Sequence, residues 1–323
     1  LIMKTNISIT FLLMAIACGD NIGIAPEKEQ NDTYDSVQEF PESDSAVPEL
    51  PNDDTGEQEE VEPLTDFLQP GPHYPYGITV EDRMVDVTGC QNMQYKVYTP
   101  YATNPPVVVL GHGFARGADS MTGWAEHLSS WGVEVILPTL CHYNVFAGVN
   151  HEMNGQNMKE LAMAHGATEV VYAGHSAGGL AAIIAASQDS SAIGVLGLDA
   201  TDTENVPGVE DFIGQQYASD VLCKAYSIMG EQSTCNSDNN GLDLFQMMPN
   251  AQIVKVASAD HCDFESPTDW ICESQCENPS TVFSDEEIRP IITTLGTAAI
   301  MSLTGLSADG AIIWTDGLEE WKI

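Results

Sequence analysis

From about residue 84 onward, short apolar runs alternate with longer stretches whose apolar residues recur at helical spacing. Gln94–Thr99, Val107–Leu110, Val133–Leu137, Val170–Tyr172, Ile193–Leu198, Ala225–Met229 and Gln252–Ser258 read as strands. Val107-Val108-Val109-Leu110 has no polar alternation, as expected of a parallel strand covered on both faces. Between the strands, 120–130, 154–165, 180–187 and 286–303 read as helices, with Met158, Leu161 and Met163 on or near one side of the second. Pro105, Pro106 and Pro138 punctuate the strand ends. Strand–helix alternation with buried strands predicts a three-layer α/β domain: a mostly parallel central sheet with helices on both faces. The chain has 323 residues, 43% of them hydrophobic. That suits one core domain, assigned to 67–323, without an internal repeat or a second domain.

Before residue 67 the periodicity disappears. Lys4 followed by the apolar stretch Ile7–Ile16 has the form of an export signal, 1–17. Ala15-Ile16-Ala17-Cys18 allows two endings. Ordinary processing would cut after Ala17. A small residue before a cysteine, with Gly19 and Asp20 after it, resembles a bacterial lipoprotein signal, and lipidation of Cys18 is the preferred reading. Ala15 departs from the leucine usual in that pattern. The segment 18–66 is expected to be a disordered acidic linker: Asp20–Asp66 holds sixteen acidic residues, five prolines and one basic residue, Lys28. These features predict an exported protein, lipid-anchored at a bacterial cell envelope (periplasm or cell surface) or secreted. The formal net charge of −38 argues against nucleic acid and anionic lipid head groups as partners. Membrane contact is therefore expected only through the anchor, and a salty medium would suit the chain.

The chemistry is concentrated in Gly174-His175-Ser176-Ala177-Gly178-Gly179. A strand, a tight turn tipped by serine and a helix are the context that makes G-x-S-x-G a nucleophile elbow. A serine hydroxyl needs a base and a pair of oxyanion donors to act near neutral pH. In this arrangement the chain order is Ser, acid, His. Of eight histidines only His261 follows Ser176, which makes it the base. Asp199 directly follows the strand after the elbow helix and is the preferred acid; Asp202 and Glu231 are its rivals. The oxyanion donors are assigned to the N–H of Ala177 and, from the loop Gly111-His112-Gly113-Phe114, the N–H of Phe114. His112 is expected to shape that loop rather than transfer protons.

Eight cysteines fit an oxidising compartment. With Cys18 lipidated, seven remain, so one is left unpaired. Proximity suggests Cys223 with Cys235, and Cys262 with Cys272 or Cys276; Cys90 is paired with Cys141 without a spacing argument. A zinc site at His261, Cys262, Cys272 and Cys276 is a weak alternative, because the spacing matches no familiar pattern. The run Asp238–Asp243 lacks the ligand set of a calcium loop, so no metal site is predicted there.

Together these residues resemble the α/β-hydrolase superfamily over about 75–323. Gly111-His112-Gly113-Phe114 followed by Trp124–Leu128 is similar to the chlorophyllase, dienelactone hydrolase and bacterial polyester hydrolase (cutinase-like) group. Gly197-Leu198-Asp199 is similar to the acid segment of chlorophyllases and pancreatic-type lipases, whereas many hydrolases place the acid one strand later, where Glu231 lies. The resemblance implies hydrolysis of carboxylic esters through an acyl-enzyme, with no cofactor or metal. The stretch between Asp199 and Cys223 is short for a large helical lid. An open site suits short- to medium-chain or polymeric esters. A peptidase or thioesterase on the same fold, and a non-catalytic surface binding protein, are the alternatives.

Overall fold

The computed structural model describes residues 64–74, 77–143, 148–204, 209–276 and 282–317. The export signal, Cys18 and all but the last three residues of the acidic linker lie outside the described residues.

Eight strands form one sheet in the order β1-β2-β4-β3-β5-β6-β7-β8. They are β1 (Ile78–Val87), β2 (Cys90–Pro100), β3 (Val107–Gly111), β4 (Glu134–Pro138), β5 (Val170–His175), β6 (Ala192–Leu198), β7 (Lys224–Met229) and β8 (Ala251–Lys255). β2 runs antiparallel to β1 and β4; the other pairings are parallel. The helices are α1 (Thr122–Ser130), α2 (His151–His165), α3 (Ala177–Gln188), α4 (Gln215–Ala218), α5 (Gly241–Met247), α6 (Trp270–Cys276), α7 (Asp285–Thr304) and α8 (Ala308–Ile312). This is a three-layer α/β-hydrolase fold, and among the described residues no large lid domain is inserted.

The layers follow from the period of two along each strand. Val108 and Leu110 of β3, with Val171, Leu196 and Ile228, pack against Trp124 and Leu128 of α1 and Leu295 of α7. Val107 and Val109, with Val170, Tyr172 and Val195, pack against Met158 of α2, Ile183 and Ile184 of α3, and Phe245 of α5. Both faces of β3 are thus buried, as its unbroken apolar run required. Strand β1 carried no such signal: most of its residues are exposed, so no buried face imposed an alternation. Helix α2 starts three residues before its predicted start, because the Asn150 side chain caps it by accepting from the Met153 N–H at 2.9 Å.

Three disulfides occur among the described residues: Cys90–Cys141, Cys235–Cys276 and Cys262–Cys272. The expected Cys223–Cys235 pair is corrected, since Cys223 is free. Cys223 immediately precedes β7 and Cys235 follows it. Cys235 lies six residues past the end of β7, on the 3-10 segment Thr234–Asn239, where it is bonded to Cys276 instead.

Candidate active site

Strand β5 ends at His175 and α3 begins at Ala177, leaving Ser176 alone at the turn. Its φ of 55° and ψ of −125° place it outside the regions an L-residue ordinarily occupies. Such a conformation costs on the order of 1–3 kcal/mol and persists only when its surroundings fix it. Here the Ser176 N–H donates to the Leu198 carbonyl at 3.0 Å, and its carbonyl accepts from the N–H groups of Gly179 and Thr201. Close packing adds a steric limit. A Cβ on Gly174 would lie 2.3 Å from the Gly178 backbone, and one on Gly178 would lie 2.5 Å from Gly111. Ser176 is therefore an elbow serine at the carboxyl edge of the sheet.

His261 and Asp199 come together beside it. Asp199 follows β6 with a φ of 45° and is fully buried. His261 Nδ1 lies 2.6 Å from Asp199 Oδ2. The Gly230 N–H donates to Asp199 Oδ1 at 3.0 Å, and Asn236 Nδ2 donates to Oδ2 at 3.1 Å. Ser176, with this His–Asp pair, forms a Ser-His-Asp arrangement consistent with serine-hydrolase chemistry.

The rival acids are engaged elsewhere. Asp202 Oδ1 accepts from the N–H groups of Thr203 and Gly214, both at 2.8 Å, which pins the loop leading to α4. Glu231 pairs with Lys255 and accepts from the Ser258 N–H. Neither contacts His261 among the described hydrogen bonds and ion pairs, whereas Asp199 does.

Asn236 was not singled out from the sequence. It is completely buried and fully engaged: Nδ2 also donates to the Glu231 carbonyl at 2.7 Å, and Oδ1 accepts from the N–H groups of Ser233 and Asn239. One side chain thus ties the 3-10 segment Thr234–Asn239 to the Asp199 carboxylate. Nothing marks this asparagine among the polar residues around it. The calcium-like run is absorbed the same way: Asn239 Nδ2 donates to the Gly230 carbonyl, and Asn240 Oδ1 accepts from the Asp202 N–H.

Two more histidines frame the site. His112 is buried, with Nδ1 2.9 Å from the Gly113 carbonyl and Nε2 3.0 Å from the Leu140 N–H. These partners assign the proton to Nδ1, since a carbonyl accepts and an N–H donates. Burial pushes its pKa down to about 4. The ring therefore stays neutral and fixes the Gly111–Phe114 loop. His175 donates from Nε2 to the His261 carbonyl at 2.9 Å, and the two rings are 4.6 Å apart. Burial, and then the neighbouring His261, hold His175 well below the ordinary histidine range. Its Nδ1 is 3.8 Å from Glu265, too far for a hydrogen bond; Glu265 is held instead by a two-point pair with Arg116.

The cleft has two lobes that share Phe114, Ser176, Thr234 and Cys235. A lobe of about 360 Å³ contains His261, Arg116, Ile271 and the Cys235–Cys276 bridge. A lobe of about 220 Å³ contains Ala177, His151, Thr201 and Asp202. The Cys262, Cys272 and Cys276 sulfurs lie within 4.8 Å of one another, but all three are oxidised in disulfides. That chemistry replaces the zinc reading, because zinc binds thiolates.

No protein-family model and no curated protein sequence matches the chain. Solved structures do. A crystal structure from Klebsiella pneumoniae subsp. pneumoniae, assigned as a dienelactone hydrolase, superposes with a TM-score of 0.54 at 12% identity, covering 71% of this chain and 99% of that one. A bacterial membrane phospholipase A, described as a virulence factor, gives a TM-score of 0.46 at 12% identity, covering 56% and 78%. The first likeness is one of fold: that protein shares the three-layer α/β architecture described above. No helix among the described residues is long and apolar enough to cross a membrane.

Proposed function

We propose that this protein is a serine carboxylic ester hydrolase working through an acyl-enzyme on short- to medium-chain or polymeric esters. The observation that carries this reading is the strained Ser176 elbow beside the buried, hydrogen-bonded His261–Asp199 pair. Ser176 Oγ attacks the ester carbonyl while His261 Nε2 takes its proton, and the carbonyl π pair moves onto oxygen. The N–H groups of Ala177, at the start of α3, and of Phe114 stabilise that oxyanion. Collapse breaks the bond to the alcohol, which leaves with the proton from His261. Water then attacks the acyl-enzyme by the same route, releasing the acid and returning the proton to Ser176. Asp199, accepting from His261 Nδ1, fixes the tautomer that leaves Nε2 free to act as base.

The test is hydrolysis of a p-nitrophenyl ester series by the wild type beside Ser176→Ala. Loss of about 10³-fold or more in kcat for the variant supports the reading. Equal rates for the two proteins contradict it. Export, with lipidation at Cys18, belongs to the same proposal; three disulfides suit an oxidising compartment. Metabolic labelling with a fatty-acid probe, lost in Cys18→Ser, is the expected result, and label retained by that variant counts against it.

A further inference from the structure

We infer that the Arg116–Glu265 ion pair is a positioning clamp that keeps the oxyanion loop in register with the segment carrying His261. The inference rests on the ester hydrolase reading and deepens it.

The reaction needs groups from distant stretches of the chain to meet around one ester carbon. Phe114 comes from the loop after β3, and His261 from the loop after β8. Arg116 stands two residues past Phe114, and Glu265 four residues past His261. Arg116 Nε donates to Glu265 Oε1 at 2.6 Å and Nη2 donates to Oε2 at 2.7 Å, across 149 residues of chain. Two parallel bonds fix orientation as well as distance. Among the described hydrogen bonds, these are the ones that join 111–116 directly to 261–266.

Each partner is tied locally to the group it positions. The Arg116 N–H donates to the Gly113 carbonyl at 3.3 Å, closing the turn that holds Phe114. The Glu265 N–H donates to the Cys262 carbonyl at 3.1 Å, closing the 3-10 turn His261–Phe264. The nucleophile is tied in as well, because His175, next to Ser176, donates to the His261 carbonyl at 2.9 Å. A shift of Arg116 is thus passed to Phe114, and a shift of Glu265 to His261.

Burial sets this pair apart from a surface salt bridge, which water and salt loosen. The Glu265 side chain is 0% exposed and that of Arg116 15%. Burial pushes the Glu265 carboxyl up, and the Arg116 guanidinium counters it by favouring the charged form. Arg116 Nη2 also lies 3.1 Å from Asp269, just before α6, so the cation keeps a partner when Glu265 is neutralised. Other bonds anchor the same segment to the start of α1: Ser266 N–H to the Ser120 carbonyl, Gly123 N–H to the Ser266 carbonyl, and Trp124 Nε1 to the Phe264 carbonyl. Glu265→Gln should therefore fold, with only the registry between His261 and the oxyanion loop relaxed.

The test measures kcat and KM on p-nitrophenyl butyrate for the wild type, Glu265→Gln, Arg116→Lys and the double variant, with Tm read for each by circular dichroism. Acylation and deacylation use the same base and oxyanion donors, so kcat and kcat/KM should fall together. A misplacement of about 1 Å can cost about 10²-fold. The expected result for Glu265→Gln is a kcat lower by about tenfold or more with KM within about threefold, because its buried side chain does not reach the substrate. Arg116→Lys keeps one charged contact and should retain more kcat than Glu265→Gln. The double variant should lose about as much as the worse single variant, since one pair is broken once. Wild-type kcat in a folded Glu265→Gln overturns the inference and leaves the esterase reading intact. So does a raised KM at constant kcat, or losses that multiply in the double variant. If Glu265→Gln does not fold, Arg116→Lys decides: a lower kcat supports the clamp and wild-type kinetics overturn it. No hydrolysis of this ester or its shorter and longer homologues by the wild type overturns the esterase reading and the inference with it.

Discussion

Asn236 and His112 show what single side chains contribute to the site. Asn236 donates to the Asp199 carboxylate from a position where both of its polar atoms are already committed. Hydrogen bonds to charged groups are worth about 1.5–3 kcal/mol. Asn236→Ala is therefore expected to lower kcat by roughly 10- to 100-fold, measured on any ester that the wild type turns over. Asp199→Asn should cost about 10⁴-fold, because the wrong imidazole tautomer is favoured. Glu231→Gln, which weakens a half-exposed pair with Lys255 and a bond from the Ser258 N–H away from His261, should stay within about twofold. His112 gives a pH prediction. Its folded pKa of about 4 lies below the ordinary 6.5, so between those values the unfolded chain binds the extra proton. The stability tied to this ring is full above pH 6.5 and is lost as pH falls toward 4, up to about 3 kcal/mol over the whole window. Chemical denaturation at pH 7 and pH 4.5 should show a larger loss in the wild type than in His112→Asn. Equal losses would contradict the neutral, buried ring. The elbow serine and its histidine were legible from residue type and chain order. Asn236 was not, because a lone asparagine in a polar loop has no period and no spacing to betray it.

The elements explain which parts of the fold could be read in advance. Strands β3 through β7 are apolar over most of their length because helices cover both of their faces, and the sequence marks them plainly. Strand β1 is largely exposed and leaves no pattern. Cysteine pairing was half legible. Cys262–Cys272 follows proximity, whereas Cys90–Cys141 and Cys235–Cys276 join residues 51 and 41 apart, and for Cys235 the expected partner was the nearer Cys223. Only the placement of the segment before α5 against α6 makes the Cys235–Cys276 bridge possible. Cys235 adjoins Asn236 on the 3-10 segment that braces Asp199. A double Cys235→Ser, Cys276→Ser variant is expected to lose about 3 kcal/mol of stability. Its kcat should also fall, by roughly tenfold or less, as the brace loosens. Unchanged kcat and an unchanged unfolding midpoint would show that the bridge supports neither the loop nor the site.

At the scale of the whole molecule, charge is the dominant physical fact. Forty-eight acidic residues face ten basic ones. Several of the basic residues are already paired, such as Arg116 with Glu265 and Arg289 with Asp285. Self-repulsion of this size is screened by salt over a length of about 10 Å at 0.1 M. Raising sodium chloride from 20 mM to 500 mM is expected to raise Tm by roughly 5 °C or more, read by circular dichroism. A flat or falling Tm would show that local pairs, not the net field, set the electrostatics.

The most direct test of the central claim is covalent labelling of the folded protein with a fluorophosphonate, mapped by peptide mass spectrometry. We expect a single phosphonyl adduct on Ser176, absent in Ser176→Ala and formed far more slowly in Asp199→Asn. No adduct on folded wild type, or an adduct on another residue, would contradict Ser176 as the activated nucleophile.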